Sequence, residues 1–279
     1  MLQTDFKMVN YFFTFFATNM KIKQIINNKL IINLPKSQKS LKGREDVASE
    51  LSSRFQKLML PIKENELTVK EYKKMVYSLL YPAHPKITVH PNDTELANGS
   101  FICDGKSVIN DKTGDLEYQH KQFSIAYNLK DDKIVSGRST IVHETRHLFD
   151  AMCNPKSILV DCLYEYPHND SIFDLANSLK ATVTPFKSHL SKELLSSMLQ
   201  DVDNSSAIAI LQDLRRELKA EINAYTDVAK FQIKEMPFYK KPYAWLVFHT
   251  GYKKSMKLWD NLAIIEQELA NRLRNRHNS

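Results

Sequence analysis

Glycine is scarce in this chain, at six of 279 residues, and proline contributes only ten. So few turn-forming residues argue against a barrel or sandwich built on many tight turns. With Leu, Ile, Lys and Asn abundant, they predict mostly helix with a small sheet. Cysteine is scarcer still: Cys103, Cys153 and Cys162 form no CxxC pair and leave one thiol over. That fits reduced thiols better than a disulfide framework and argues against a thiolate zinc site. Long apolar runs are also missing. The N-terminal run at 9–17 is interrupted by Asn10 and Thr14 and is too short to span a bilayer, so no transmembrane segment is expected. It makes a poor signal peptide, because Asp5 stands where positive charge belongs and no small-x-small cleavage site follows. The segment otherwise reads as a docking strand or helix, or as residues ahead of a start at Met20.

What is present suits a globular chain. Apolar residues make up 43% and charged residues 25%, enough for a sizeable core in one large domain or two small ones. Lys and Arg outnumber Asp and Glu by 39 to 32, with the excess visible in "KKSMK" at 253–257 and "RLRNRHNS" at the C-terminus. A balance of +7 favours acidic partners or membrane surfaces without selecting either, and its simplest reading is a solvated basic face.

Residues 1–40 are expected to form an N-terminal segment and linker, with "PKSQKSLKGRED" leading into helices at about 44–60 and 66–80. Thr68 in "LTVKEY" is the candidate cap of the second. "LYPAHPK" breaks the helical pattern, and from Ile87 the texture turns to short β-rich runs, "KITVHP", "GSFICDG", "KSVIND" and "QFSIAYNL", separated by turn signals. Helical texture returns at Ser139 and runs through "SIFDLANSLKATV", "KELLSSMLQDV" and a long segment from Ala207 to about Glu235. No internal repeat is visible. The expected division is therefore a core domain at 41–235 and a C-terminal helical cap at 236–279. The cap is rich in aromatics and lysines, a mixture that can stack bases and contact phosphates. We read it instead as packed, with Trp245, Phe248 and Trp259 burying apolar area and the lysines facing water.

The stretch "STIVHETRHLFD" at 139–150 carries the chemistry. On a helix capped by Ser139, Ile141, Leu148 and Met152 fall together with Val142 and Phe149 beside them, and His143, Glu144, His147 and Asp150 take the opposite arc. Two histidines at i and i+4 can reach one zinc at about 2.0 to 2.1 Å, and the Glu after the first sits beside the metal. The competing reading is two exposed histidines on a solvated face. Downstream, "RRELKAEINAYTDVAKF" places Glu221 inside a stripe of Leu211, Leu214, Leu218, Tyr225 and Val228, where a lone carboxylate is costly and calls for a cationic partner. A zinc held by His143 and His147 meets that need; a salt bridge to Lys or Arg would also. Glu217, one turn earlier, lies at the edge of the stripe and suits a supporting role outside the metal's direct ligands or a surface charge. Asp150 suits the orientation of a ligand imidazole, with an exposed Asp as its alternative.

"HETRH" followed by a helix bearing "EINAY" resembles the zincin metallopeptidases of the gluzincin type, over about 87–231. The resemblance implies an α+β, zincin-like fold, mostly helical with a small mixed sheet next to the HExxH helix. It also implies one Zn2+ per chain held by His143, His147 and Glu221, with Glu144 as general base for hydrolysis of a protein or peptide substrate. Asp150 and Cys153 occupy the positions where the metzincin subgroup has Gly and His, which excludes that subgroup. The long helical connection from His147 to Glu221 also sets the chain apart from the well-known gluzincin families. Tyr225, Tyr164 and His168 are candidate oxyanion donors. Asp161 and His168 are the reserve third ligands, and "QFSIAYNL" is the expected edge strand for substrate pairing. Cytoplasmic residence is the default, with signal-independent secretion into another cell as the alternative. Two competing functions stand beside peptide hydrolysis. One is a non-enzymatic basic binding protein, for nucleic acid among other partners, with an accidental HETRH. The other is a zinc site that hydrolyses another bond or serves stability alone.

Overall fold

The computed structural model describes residues 41–80, 86–92, 99–109, 116–153, 170–183 and 190–277. Residues 1–40 lie outside the described residues, as do Asp161, Cys162, Tyr164 and His168. Helix α1 spans Leu41–Met59, so the second half of the expected linker is helical; its long charged side chains are good helix formers and outweigh Gly43. Helix α2 spans Val69–Leu80. Thr68 caps it as predicted: its hydroxyl accepts from the Glu71 amide, and the Glu71 carboxylate accepts from the Thr68 amide, a reciprocal capping box.

Strands β1 (Ile87–Pro91), β2 (Gly99–Ile109) and β3 (Leu116–Tyr127) form a mixed sheet in the order β1-β3-β2. Strand β1 runs parallel to β3, and β2 runs antiparallel to it with a bulge between Asp104 and Gly105. "QFSIAYNL" is therefore the central strand and not the edge. Its residues Phe123, Ser124, Ile125, Ala126 and Tyr127 are all buried, the continuous burial that a strand paired on both sides acquires. The edge next to the motif helix is β2. A two-residue turn at Asp131 and Asp132, both with positive φ, joins β4 (Leu129–Lys130) to β5 (Lys133–Ile134), a hairpin that periodicity did not reveal.

Helices α3 (Arg138–Cys153), α4 (Asp170–Val183), α5 (Lys192–Met198) and α6 (Asn204–Glu235) follow. A short 3-10 helix (Phe238–Tyr243) then leads into α7 (Ala244–His277). Among the described residues, no helix is long and apolar enough to cross a membrane. The result is an α+β protein, mostly helical with one small mixed sheet.

Two hydrophobic cores hold these elements. The first joins Leu51, Phe55 and Met59 of α1, Tyr72 and Val76 of α2, Ile125 of β3 and the apolar side of α3. Edge-to-face aromatic contacts at Phe55–Tyr72, Phe55–Phe149 and Tyr72–Tyr127 knit it together. The second joins α4, α5, the first half of α6 and α7. From α7 it takes Leu258, Leu262, Ile265 and Leu269, spaced as one helical stripe. Trp259 falls about 100° round the helix from Leu258 and is half exposed, so the expected aromatic packing of the cap is replaced there by aliphatic packing. The side chains of Trp245 and Phe248 lie outside the described residues. Buried Asn261 closes the second core by accepting from the Leu190 amide and donating to the Val183 carbonyl. Helix α6 belongs to both cores: Leu211, Leu214 and Leu218 pack in the second, and Ala220 and Phe231 in the first. Glu221 lies at that crossing.

Candidate metal centre

Helix α3 is set in rotation by its back face. Thr145 donates to the Ile141 carbonyl at 2.6 Å, and its hydroxyl lies 3.0 Å from that of Tyr72 and 3.4 Å from that of Tyr127. All three residues are fully buried, so slipping the helix would strand several polar groups. The helix starts earlier than predicted. The Gly137 carbonyl accepts the first helical bond from the Ile141 amide, which places Ser139 inside the first turn, where its hydroxyl accepts from Gln232 of α6. Arg138 reaches back to the Met59 and Leu60 carbonyls at the end of α1 and pairs with Glu235 at 2.6 Å.

With the helix so fixed, His143 and His147 point at α6, and Glu221 points back. The His143 and His147 Nε2 atoms are 3.1 Å apart. Glu221 Oε2 lies 3.4 Å from the first and Oε1 3.2 Å from the second. Bonds of about 2.0 to 2.1 Å at tetrahedral angles separate neighbouring ligands by about 3.3 Å, so the triangle has the dimensions of three corners of one coordination tetrahedron. These three residues could hold a metal ion.

Burial and charge act against each other within this group. Burial tends to raise the Glu221 carboxyl pKa, but the two imidazoles hold it well below the ordinary carboxylate range. Burial likewise tends to lower that of His147, yet Glu221 prevails and pushes it up to about 9. Burial raises the Glu144 carboxyl pKa against the opposing pull of His147 and His143. The Tyr225 ring lies 4.5 Å from that of His143, and burial together with the Glu221 and Glu144 charges keeps its hydroxyl protonated well above the usual range.

A cleft of about 240 Å³ opens over the triangle, lined by Gly99, Ser100 and Phe101 of β2 and by Glu144, Glu217 and Ala220 of the helices. Phe101 stacks between Phe123 and His147, at 6.4 and 6.5 Å between ring centres. A Cβ on Gly99 would stand 2.9 Å from the Thr140 side chain, 3.2 Å from the Ala126 carbonyl and 3.3 Å from Glu144, so a glycine is what allows β2 to lie this close to α3. Glu217 stays outside the triangle, 3.4 Å from Lys180 of α4, its carboxyl pKa raised by burial against the pull of that lysine.

Asp150 is not the exposed aspartate allowed as an alternative. It is buried and accepts from Arg146 at 2.9 Å, while its charge also acts on His147. Arg146, 2% exposed, further donates to Asp227 of α6 at 2.6 Å and to Ser49 of α1 at 3.2 Å. The sequence reading missed this cluster, although Arg146 and Asp150 stand at the i, i+4 spacing of a helical ion pair. It joins the two helices that carry the triangle. Phe101 and Gly99 were missed too, because β3 and not β2 was taken for the edge. Compared with known proteins, the chain matches no family model, no curated sequence and no solved structure.

Proposed function

We propose that this protein is a zinc-dependent peptidase of the zincin type, with His143, His147 and Glu221 as the ligands of one Zn2+. The observation that carries the reading is the triangle of two Nε2 atoms and one carboxylate at 3.1 to 3.4 Å, with Glu144 beside it in an open cleft. Two neutral imidazoles and a carboxylate are a donor set that zinc takes in hydrolytic sites. Zinc bound there supplies a Lewis acid for a carbonyl oxygen and an acidified water. Glu144, its proton affinity raised by burial, accepts the proton of the attacking water and returns it to the leaving amine. Tyr225, held protonated, donates to the oxygen on which negative charge develops. The outer edge of β2, unpaired among the described residues, offers backbone groups to an extended peptide. Asp150 and Glu217 support the site from outside the ligand set.

Metal analysis of the purified protein tests this directly. We expect about one zinc per chain, lost on His143→Ala. Glu144→Gln should keep the metal and lose peptide hydrolysis by roughly 10²- to 10⁴-fold. Glu221→Ala should weaken zinc severely in a chelator titration, whereas Glu217→Ala should cost at most about 10- to 100-fold. Full zinc stoichiometry in His143→Ala would refute the assignment, and the opposite ranking of the two glutamates would transfer the ligand role to Glu217.

A further inference from the structure

The turn from α6 into α7 exposes side chains that a folded protein ordinarily covers. Residues 237–243 are exposed one after another, with Phe238 at 86%, Tyr239 at 71% and Tyr243 at 63%. Two lysines are threaded among them. The Lys240 ammonium lies 5.9 Å from the Tyr239 ring centre and that of Lys241 5.9 Å from the Phe238 ring centre, so cations and aromatic faces form one surface. The composition of the surrounding sequence is equally one-sided. Residues 236–259 contain five lysines and seven aromatics, with no Asp, Glu or Arg, and so hold five of the seven excess positive charges of the whole chain.

We propose that this turn is a docking surface for an anionic lipid bilayer. Tyr and Phe settle at the level of lipid headgroups with the ring in the acyl boundary, while lysine stems extend their ammonium groups to the phosphates. Lysines near an anionic leaflet each add attraction that falls off within a Debye length. Nucleic acid, the other polyanion, is less well matched. Arg supplies the planar fork for phosphate and the flat face for bases, and this stretch has none. The attachment is peripheral, since no described helix is long and apolar enough to cross a bilayer. Helix α6 continues for fourteen residues beyond Glu221, about 20 Å, before the turn begins, so docking leaves the cleft open. The inference is independent of the metal and of any hydrolytic activity.

Vesicle sedimentation of the full chain tests it, with phosphatidylcholine vesicles containing about one-third phosphatidylserine beside pure phosphatidylcholine, in about 0.1 M salt. The protein should pellet with the anionic vesicles and stay in solution with the neutral ones. The triple variant Phe238→Ala, Tyr239→Ala, Tyr243→Ala and the double variant Lys240→Glu, Lys241→Glu should each lower partitioning roughly tenfold or more. Both should melt as the parent does, because the replaced side chains are exposed. Parent-like partitioning of either variant overturns the proposal, as does equal binding to both vesicle types. Failure to bind vesicles, together with binding of a single-stranded oligonucleotide that the same variants abolish, overturns it in favour of nucleic acid.

Discussion

Helix α3 keeps Glu144, Arg146, His147 and Asp150 out of water, whereas α7 and the turn before it leave Phe238, Tyr239 and Trp259 in it. The difference lies in what each side chain finds to meet. Arg146 and Asp150 pair with each other, Arg146 also meets Asp227 of α6 and His147 meets Glu221 of α6, so the desolvation of these three charges is offset. Among the described residues no element covers the aromatics of the turn, and the described part of α7 packs through one aliphatic stripe, Leu258, Leu262, Ile265 and Leu269. Polarity in the sequence therefore does not map onto exposure here; the availability of partners does.

Four changes test whether the availability of partners sets exposure. The largest effect should come from removing residues 237–279. This strips Leu258, Leu262, Ile265 and Leu269 from the second core, at about 1.5 to 3 kcal/mol each, together comparable with the whole stability of a typical domain. Loss of the cooperative melting transition is expected, and an unchanged melting temperature would show that α7 is an appended tail.

Arg146→Leu comes next. It leaves Asp150 and Asp227 buried without their main cation and should cost about 3 to 5 kcal/mol in urea unfolding. Metal affinity at the proposed site should fall with it, because the clamp between α3 and α6 is gone. A loss below about 1 kcal/mol would mean that water reaches the cluster and the ion pairs are effectively exposed.

Gly99→Ala should cost about 1 to 3 kcal/mol, since its new methyl meets the fixed Ala126 carbonyl as well as Thr140 and Glu144. On the proposed function, hydrolysis should also fall as Glu144 is displaced, and parental stability and activity together would show that β2 can retreat without disturbing α3. Trp259→Ala should change stability by no more than about 0.5 kcal/mol, the surface behaviour that half exposure implies. A cost above about 2 kcal/mol would return Trp259 to the packed role first expected of it.

Periodicity and composition by themselves determined the helical character, the capped start of α2, the strand block after Ile87 and the placing of His143, Glu144 and His147 on one side of one helix. These are local matters, fixed by spacing within a few residues. They also singled out Glu221, since a carboxylate inside an apolar stripe is a local contradiction that needs a distant partner. The tertiary structure alone decided that the partner is the pair of imidazoles, because α6 passes from one core to the other at that residue. It also decided that β3 is central and β2 the edge, a matter of strand order over long connections that no alternation pattern carries. The burial of Arg146 between Asp150 and Asp227 belongs to the same class, since Asp227 lies 81 positions away along the chain and only packing brings it near. Trp259 lost the core to Leu258, Leu262, Ile265 and Leu269 because a helix offers one stripe to its neighbour, and which stripe that is depends on the neighbour.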